Sequence, residues 1–292
     1  PQQRLEHFGK LPLTKLCVLR LDLETRDGDL SESLRAAVSR LAALQELDMA
    51  VERVEQVEVL LKALPALRVC AFRTATRHPQ ERSCPATRHL VMPHLEELAL
   101  VRCCDDALLA ALDAPKLKTL TLGGDVRLTQ PQLSLAHLPP CKLQIEDSAG
   151  VVVESTTTQL PFRDIWLHTT AMHTGDLAAP ILRACPDLRN VRLSRFADGA
   201  DAARVAALDL QHVTAVRFDG WSPKASDEVT IAHFAQYWPS LNFLRLDKAT
   251  GDAQLGSRAE LISNLTARFK STTRSPPLLL LNECFNEQFR IG

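Results

Sequence analysis

The sequence predicts an α/β fold: a single domain built as a stack of strand, turn and helix units. Two observations predict it. An apolar motif, read most clearly at residues 92–103 as MPHLEELALVRC, recurs along the chain at intervals of 22–28 residues. Between its copies lie segments whose aliphatic residues follow helical spacing. A fixed period of this length marks a repeat architecture, in which each unit buries its apolar face only against its neighbours.

The motif is Leu95-x-x-Leu98-x-Leu100-x-x-Cys103. Its first three anchors recur at Leu16-x-x-Leu19-x-Leu21, Leu44-x-x-Leu47-x-Met49, Leu67-x-x-Cys70-x-Phe72 and Leu117-x-x-Leu120-x-Leu122. They return at Phe162-x-x-Ile165-x-Leu167, Leu188-x-x-Val191-x-Leu193, Val213-x-x-Val216-x-Phe218 and Leu241-x-x-Leu244-x-Leu246. A weaker copy, PPCKLQIEDS, puts Leu143 and Ile145 in register, and SPPLLLLNECF near residue 278 reads as a last degenerate copy. The alternation within L-x-L predicts a strand. Proline precedes several copies (LPALRVCAF, MPHLEELAL, APKLKTLTL, CPDLRNVRL, WPSLNFLRL), where it ends a helix and favours extended chain.

Helices are predicted at 53–64, 105–112, 176–185, 201–208 and 227–238, each with aliphatics at helical spacing after an acidic or polar start. Ser257-x-x-Glu260 opens a further segment as a capping box. Stacked units of this kind form a curved solenoid, a horseshoe of about 10–11 repeats with parallel strands on the concave face and helices on the convex face. The repeats run from about residue 11 to 285 of a single domain, 1–292. Residues 73–90 are polar, contain two prolines and carry Arg73, Arg77, Arg82 and Arg88, so they read as a long basic loop replacing a helix. Residues 1–10 and 286–292 must cap the ends of the stack, and neither looks like a strong cap.

Aromatics make up only 5% of a chain that is 46% hydrophobic, so aliphatic side chains must fill the core. The formal net charge is −1, from 34 basic and 35 acidic residues, which argues against a nucleic-acid or anionic-membrane binder. No apolar run reaches the roughly 18 residues that span a bilayer, and PQQRLEHFGK is too polar for a signal peptide. The expectation is a soluble cytoplasmic or nuclear protein. Eight scattered cysteines, six in or beside apolar segments, fit buried reduced thiols rather than a disulfide framework.

The repeat resembles the cysteine-containing class of leucine-rich repeats, and phrases such as MPHLEELALVRC and CPDLRNVRLSRF resemble fungal F-box/leucine-rich-repeat proteins. The resemblance covers roughly residues 11–285 and implies a leucine-rich-repeat domain that recognises substrates for an F-box-type ubiquitin ligase. An F-box is a separate helical module that binds a Skp-type adaptor; this chain instead enters its first repeat by about residue 11. The class carries Asn or Cys at the position of Cys103, where the side chain satisfies backbone groups of the turn. Cys103 therefore reads as structural, with Cys104 next in line; a metal or redox pair would need ligand spacing that no second pair supplies.

No catalytic set is visible: the chain contains no Gly-x-Ser-x-Gly elbow, Walker loop or Gly-x-Gly-x-x-Gly. His168, His173 and Asp176 could ligate a metal, but their spacing is looser than metal motifs show, and a fortuitous cluster is the better reading. LGGD at 122–125 reads as a turn needing unusual dihedrals. A non-enzymatic protein without metal or cofactor is expected.

The residue between the last two anchors points away from the core. In chain order that column reads Arg20, Asp48, Ala71, Ala99, Thr121, Gln144, Trp166, Arg192, Arg217 and Arg245. Its last four members are large and should form one row. Two positions on, His168, Ser194, Asp219 and Asp247 place acids beside the last two arginines; Phe243 lies on the same face and Trp221 at a strand exit. One account is a solvated Arg217–Asp219 and Arg245–Asp247 lattice of little energetic weight. The other is a partner-binding surface of Trp166, His168, Arg192, Arg217, Asp219, Phe243, Arg245 and Asp247 that grips an acidic or phosphorylated protein segment. The expected function is a protein–protein interaction scaffold. Its rival is a leucine-rich-repeat regulator or inhibitor that caps a protein partner without any ubiquitin role.

Overall fold

The structure, a computed structural model, describes residues 16–21, 41–51, 54–74, 89–102, 106–124, 127–128, 135–148, 152–153, 159–169, 174–194, 199–219, 228–247, 263–264, 267, 278–282 and 288–289. The chain divides into two compact units, 1–141 and 142–292. Both are mixed α/β.

The first unit contains β1 (Val18–Leu21), β2 (Glu46–Val51), α1 (Val54–Ala63), β3 (Val69–Thr74), β4 (Leu90–Val91), β5 (Glu97–Val101), α2 (Asp106–Ala111), β6 (Leu112–Asp113), β7 (Thr119–Gly123) and β8 (Arg127–Leu128). Strands β1, β2, β3, β5 and β7 are parallel neighbours in that order. Their register runs anchor to anchor: Leu19 faces Leu47, Leu47 faces Cys70, Cys70 faces Leu98 and Leu98 faces Leu120. Strands β4 and β6 form a short parallel pair of their own, which is why the helix predicted to 112 stops at Ala111. Both ends of the stretch read as a 73–90 loop are in strands, Arg73–Thr74 in β3 and Leu90 in β4, while 75–88 lies outside the described residues.

The second unit contains β9 (Lys142–Ser148), β10 (Val152–Val153), β11 (Asp164–Thr169), α3 (Thr174–Arg183), β12 (Asn190–Ser194), α4 (Gly199–Ala206), β13 (Ala215–Asp219), α5 (Glu228–Tyr237), β14 (Phe243–Asp247), β15 (Leu278–Asn282) and β16 (Gln288–Phe289). Strands β9 and β11–β15 are successive parallel neighbours. The weak copy at 142 and the degenerate one at 278 are thus full strands. Strand β16 pairs antiparallel with β15, with Gln288 opposite Leu280, and so covers an edge that would otherwise present unpaired amides. The sequence reading assigned those terminal residues no such strand. The capping box at 257–260 lies outside the described residues.

Alternation decides what each strand buries. In β2 the side chains of Leu47, Met49 and Val51 are buried, and those of Glu46, Asp48 and Ala50 are half-exposed. The helices present matching triplets at i, i+3 and i+4: Val57, Leu60 and Leu61; Ala178, Ile181 and Leu182; Ala202, Val205 and Ala206. Helix α3 packs on α4, and α4 on α5. Each buried leucine contributes about 2 kcal/mol, which is how a helix as short as α2, six residues, persists with Leu108 and Leu109 inside. Some of the sparse aromatics cluster between α5 and β13. Phe234 lies 5.1 Å from Phe218 and 5.0 Å from Trp238, and Trp238 Nε1 donates to the Leu208 carbonyl at 2.7 Å.

The prolines do something the sequence reading missed. The amide of Leu67 donates to Leu64 O at 3.2 Å, Leu95 to Met92 at 3.2 Å, Leu117 to Ala114 at 3.1 Å, Leu188 to Cys185 at 3.3 Å and Leu241 to Trp238 at 3.0 Å. Pro65, Pro93, Pro115, Pro186 and Pro239 therefore occupy the second place of a four-residue turn. There the ring's fixed φ fits and the missing N–H is not needed. Proline sets a turn before the strand rather than leading straight into extended chain.

One loop is conformationally demanding, as LGGD suggested. Gly124 has φ 82°, and a Cβ there would lie 2.5 Å from Arg102 Cγ. Arg102 is itself left-handed at φ 60°; its amide donates to Gly123 O at 2.7 Å and its carbonyl accepts from Thr74 Oγ1 at 2.7 Å. Gly124→Ala should lower the unfolding free energy by about 1–2 kcal/mol, read as a lower urea midpoint at unchanged slope; an unmoved midpoint would contradict the strain.

Cys70, Cys141 and Cys185 are buried and unbridged, and Cys17 is exposed. Cys84, Cys103, Cys104 and Cys284 lie outside the described residues. Burial pushes the thiols of Cys141 and Cys185 up to about 12, so at neutral pH they are protonated and unreactive. Peptide mass spectrometry after iodoacetamide at pH 8 should find Cys17 alkylated in the folded protein and Cys141 and Cys185 alkylated only after unfolding.

Candidate functional site

Every second residue of β11–β14 leaves the core for the opposite face. The parallel register then lines these residues into columns. Trp166 faces Arg192, Arg192 faces Arg217 and Arg217 faces Arg245, the row expected from the sequence. Two positions on, His168 faces Ser194, Ser194 faces Asp219 and Asp219 faces Asp247. Two positions before the row, Lys142, Asp164, Asn190, Ala215 and Phe243 form a third column.

Three like charges in a row need compensation, and Asp219 supplies it for two of them. Arg217 Nε donates to Asp219 Oδ1 at 2.6 Å, along the same strand. Arg192 Nε donates to Asp219 Oδ2 at 2.5 Å, diagonally across the strand pair. Ser194 Oγ donates to the same Oδ2 at 3.0 Å and accepts from Trp166 Nε1 at 3.4 Å. The Arg192 guanidinium carbon lies 4.3 Å from the centre of a Trp166 ring, and Lys142 Nζ lies 5.4 Å from it, both within cation–π range. One carboxylate thus orients two arginines, and through Ser194 it holds the indole beneath one of them.

The Arg217–Asp219 pair weighed from the sequence is present and part-buried, and the Asp247 side chain of the second pair lies outside the described residues. The side chain of Asp219 is 19% exposed, that of Arg192 36% and that of Arg217 33%. Burial raises the Asp219 pKa, but the hydrogen bonds from Arg192 and Arg217 outweigh it and hold the carboxyl below its ordinary value. In the first unit, Glu96 meets Lys118 at 2.5 Å and Arg68 at 2.8 Å, and their hydrogen bonds hold its carboxyl below the usual range as well. The two bases of that cluster, Arg68 and Lys118, are exposed.

Beside the Asp219 network lies a groove of about 330 Å³. Its walls are Trp166, Arg192 and Arg217 on one side and Lys142, Asp164, Asn190 and Phe243 on the other, and Ala215 leaves the dip between them. Asn190 Nδ2 donates to Asp164 Oδ1, which pins the polar end of that wall.

Of the eight residues singled out by sequence, Trp166, Arg192, Arg217 and Phe243 line the groove and Asp219 organises it. Arg245 and His168 share the face, in register with Arg217 and Ser194, but do not line the groove. Asp247 is in backbone register with Asp219, and its side chain lies outside the described residues, as do Trp221, His173 and the Asp176 side chain. The sequence reading missed Lys142, Asp164, Asn190 and Ala215. The signal was present: Phe243 was placed on this face by counting two back from the row, and the same count on each earlier strand finds the other four.

Because Asp219 titrates low when folded, its contribution to stability is present above the ordinary aspartate value, near 3.9, and is lost as pH falls through the lower folded value. Wild type should therefore exceed Asp219→Asn in urea midpoint by a constant margin from pH 7 to about 5. The margin should shrink below about pH 4; one that widens on acidification would reverse the assignment. In comparison with known proteins, the chain matches no protein-family model and no curated sequence, so the groove must be read from its own residues.

Proposed function

We propose that this chain is a non-enzymatic recognition scaffold, a leucine-rich-repeat solenoid whose β11–β14 face takes an acidic or phosphorylated protein segment. Parallel strands in anchor-to-anchor register with helices between them support the repeat reading. The observation that carries the function is the groove itself, walled by a tryptophan, a phenylalanine and two arginines that a half-buried carboxylate already orients. Trp and Arg dominate interface hot spots, and preorganised side chains lose less entropy on binding. The resemblance of the repeats to F-box/leucine-rich-repeat proteins supports a more specific role, the substrate-recognition part of a ubiquitin ligase receptor acting with a Skp-type adaptor.

Replacing both arginines would leave Asp219 half-buried and unpaired and would confuse folding with binding. Trp166→Ala and Arg192→Gln instead keep Arg217 on Asp219. Each should weaken partner capture about 10-fold or more with little change in melting temperature. Affinity purification of the full-length protein should recover the Skp-type adaptor together with the partner. Partner without adaptor would make the protein a regulator or inhibitor, and capture that survives both substitutions would end the proposal.

A further inference from the structure

The anionic partner proposed above can be narrowed, because the groove does not treat all anions alike. Lys142, Arg192 and Arg217 are offset by Asp164 and Asp219, leaving one net positive charge around the cavity. Arg192 spends Nε on Asp219 and its face on Trp166, and its terminal nitrogens form no hydrogen bond among the described residues. Those two nitrogens are the edge that takes a carboxylate with both oxygens at once. A phosphate carries about −1.5 to −2 at neutral pH. To reach the same edge it would approach the Asp219 carboxylate, a fixed like charge bonded to both arginines.

The apolar part of the groove is equally restrictive. At about 330 Å³ it lies at the small end of ligand sites, which run from about 300 Å³ upward. That space suits one or two side chains of an extended segment, not a folded surface. Its floor is Ala215, whose column neighbours are Asn190 and Phe243, and its apolar walls are Trp166 and Phe243.

We propose that the groove seats a short peptide segment whose aliphatic side chain enters over Ala215 between Trp166 and Phe243 while a neighbouring Asp or Glu carboxylate takes the terminal nitrogens of Arg192. Asp219 acts as a built-in counter-ion that selects this single charge over phosphate. The inference rests on the recognition reading above and decides which anion that reading admits.

The test is a fluorescence-anisotropy titration of the full chain with three matched peptide sets. One carries Glu beside Leu or Ile, the second phosphoserine in place of Glu, and the third Gln in place of Glu. The Glu set should bind at least 10-fold more tightly than the Gln set, and no more weakly than the phosphoserine set. Asp219→Asn should improve phosphoserine binding about 10-fold relative to Glu. Should that variant fail to fold, the ranking by wild type decides alone. Wild type preferring phosphoserine would overturn this inference and leave the recognition function standing. Equal binding of Glu and Gln sets, or of no set at all, would overturn both. Binding of the Glu set unchanged in Trp166→Ala would remove it from this groove.

Discussion

One backbone hydrogen bond sets everything else in register. The residue after each first anchor donates its amide to the carbonyl of the matching residue one unit earlier. Arg68 donates to Gln45 at 2.8 Å, Glu96 to Arg68 at 2.7 Å and Lys118 to Glu96 at 2.7 Å. In the second unit Arg189 donates to Arg163 at 2.7 Å, Thr214 to Arg189 at 2.8 Å and Asn242 to Thr214 at 2.9 Å. A slip of one residue would turn every leucine of a strand to solvent and every arginine of the face to the core. Burial of the anchors therefore enforces the ladder, and the ladder places equivalent side chains side by side.

The fold was legible because burial repeats. An apolar residue at each anchor is required in every unit, so ten weak signals add to one strong period, and even Leu143 and Ile145 in a poor copy prove buried at 1% and 0% exposure. Single-copy events lacked that support. Nothing periodic announced β16, or the β4–β6 pair that ends α2 early. The proline turns recur, yet proline is compatible with both a helix stop and the second place of a turn, and only the i+3 hydrogen bonds separate the two.

The site was half legible for a related reason. Strand period two identifies which residues share a face, so Trp166, Arg192, Arg217 and Phe243 could be placed from sequence. Which carboxylate answers which cation could not. The nearest acid in sequence pairs Arg217 with Asp219, as expected, but the link from Arg192 to the same carboxylate runs 27 residues along the chain. It exists because side-chain reach across a strand pair includes the diagonal neighbour. Sharing one acid between two bases also changes its character, from a surface pair of small worth to a fixed element that only removal of both bases would leave unpaired.

The contrast between units shows where such a surface can arise. In the first unit the central column reads Arg20, Asp48, Ala71, Ala99 and Thr121, and Arg73 in the next column pairs with Asp48 at 3.1 Å, while β5 and β7 present Ala99, Val101, Thr121 and Gly123. Gly123 would meet Val101 Cγ2 at 3.1 Å if it gained a Cβ, so the Val101 side chain leaves little room for a larger residue there. The same strand geometry in the second unit carries indole, guanidinium and carboxylate at the equivalent points. Core positions are committed to apolar residues in both units. The outward residue on each strand is free of that constraint, and in β11–β14 those residues include large groups, two of which Asp219 holds in place.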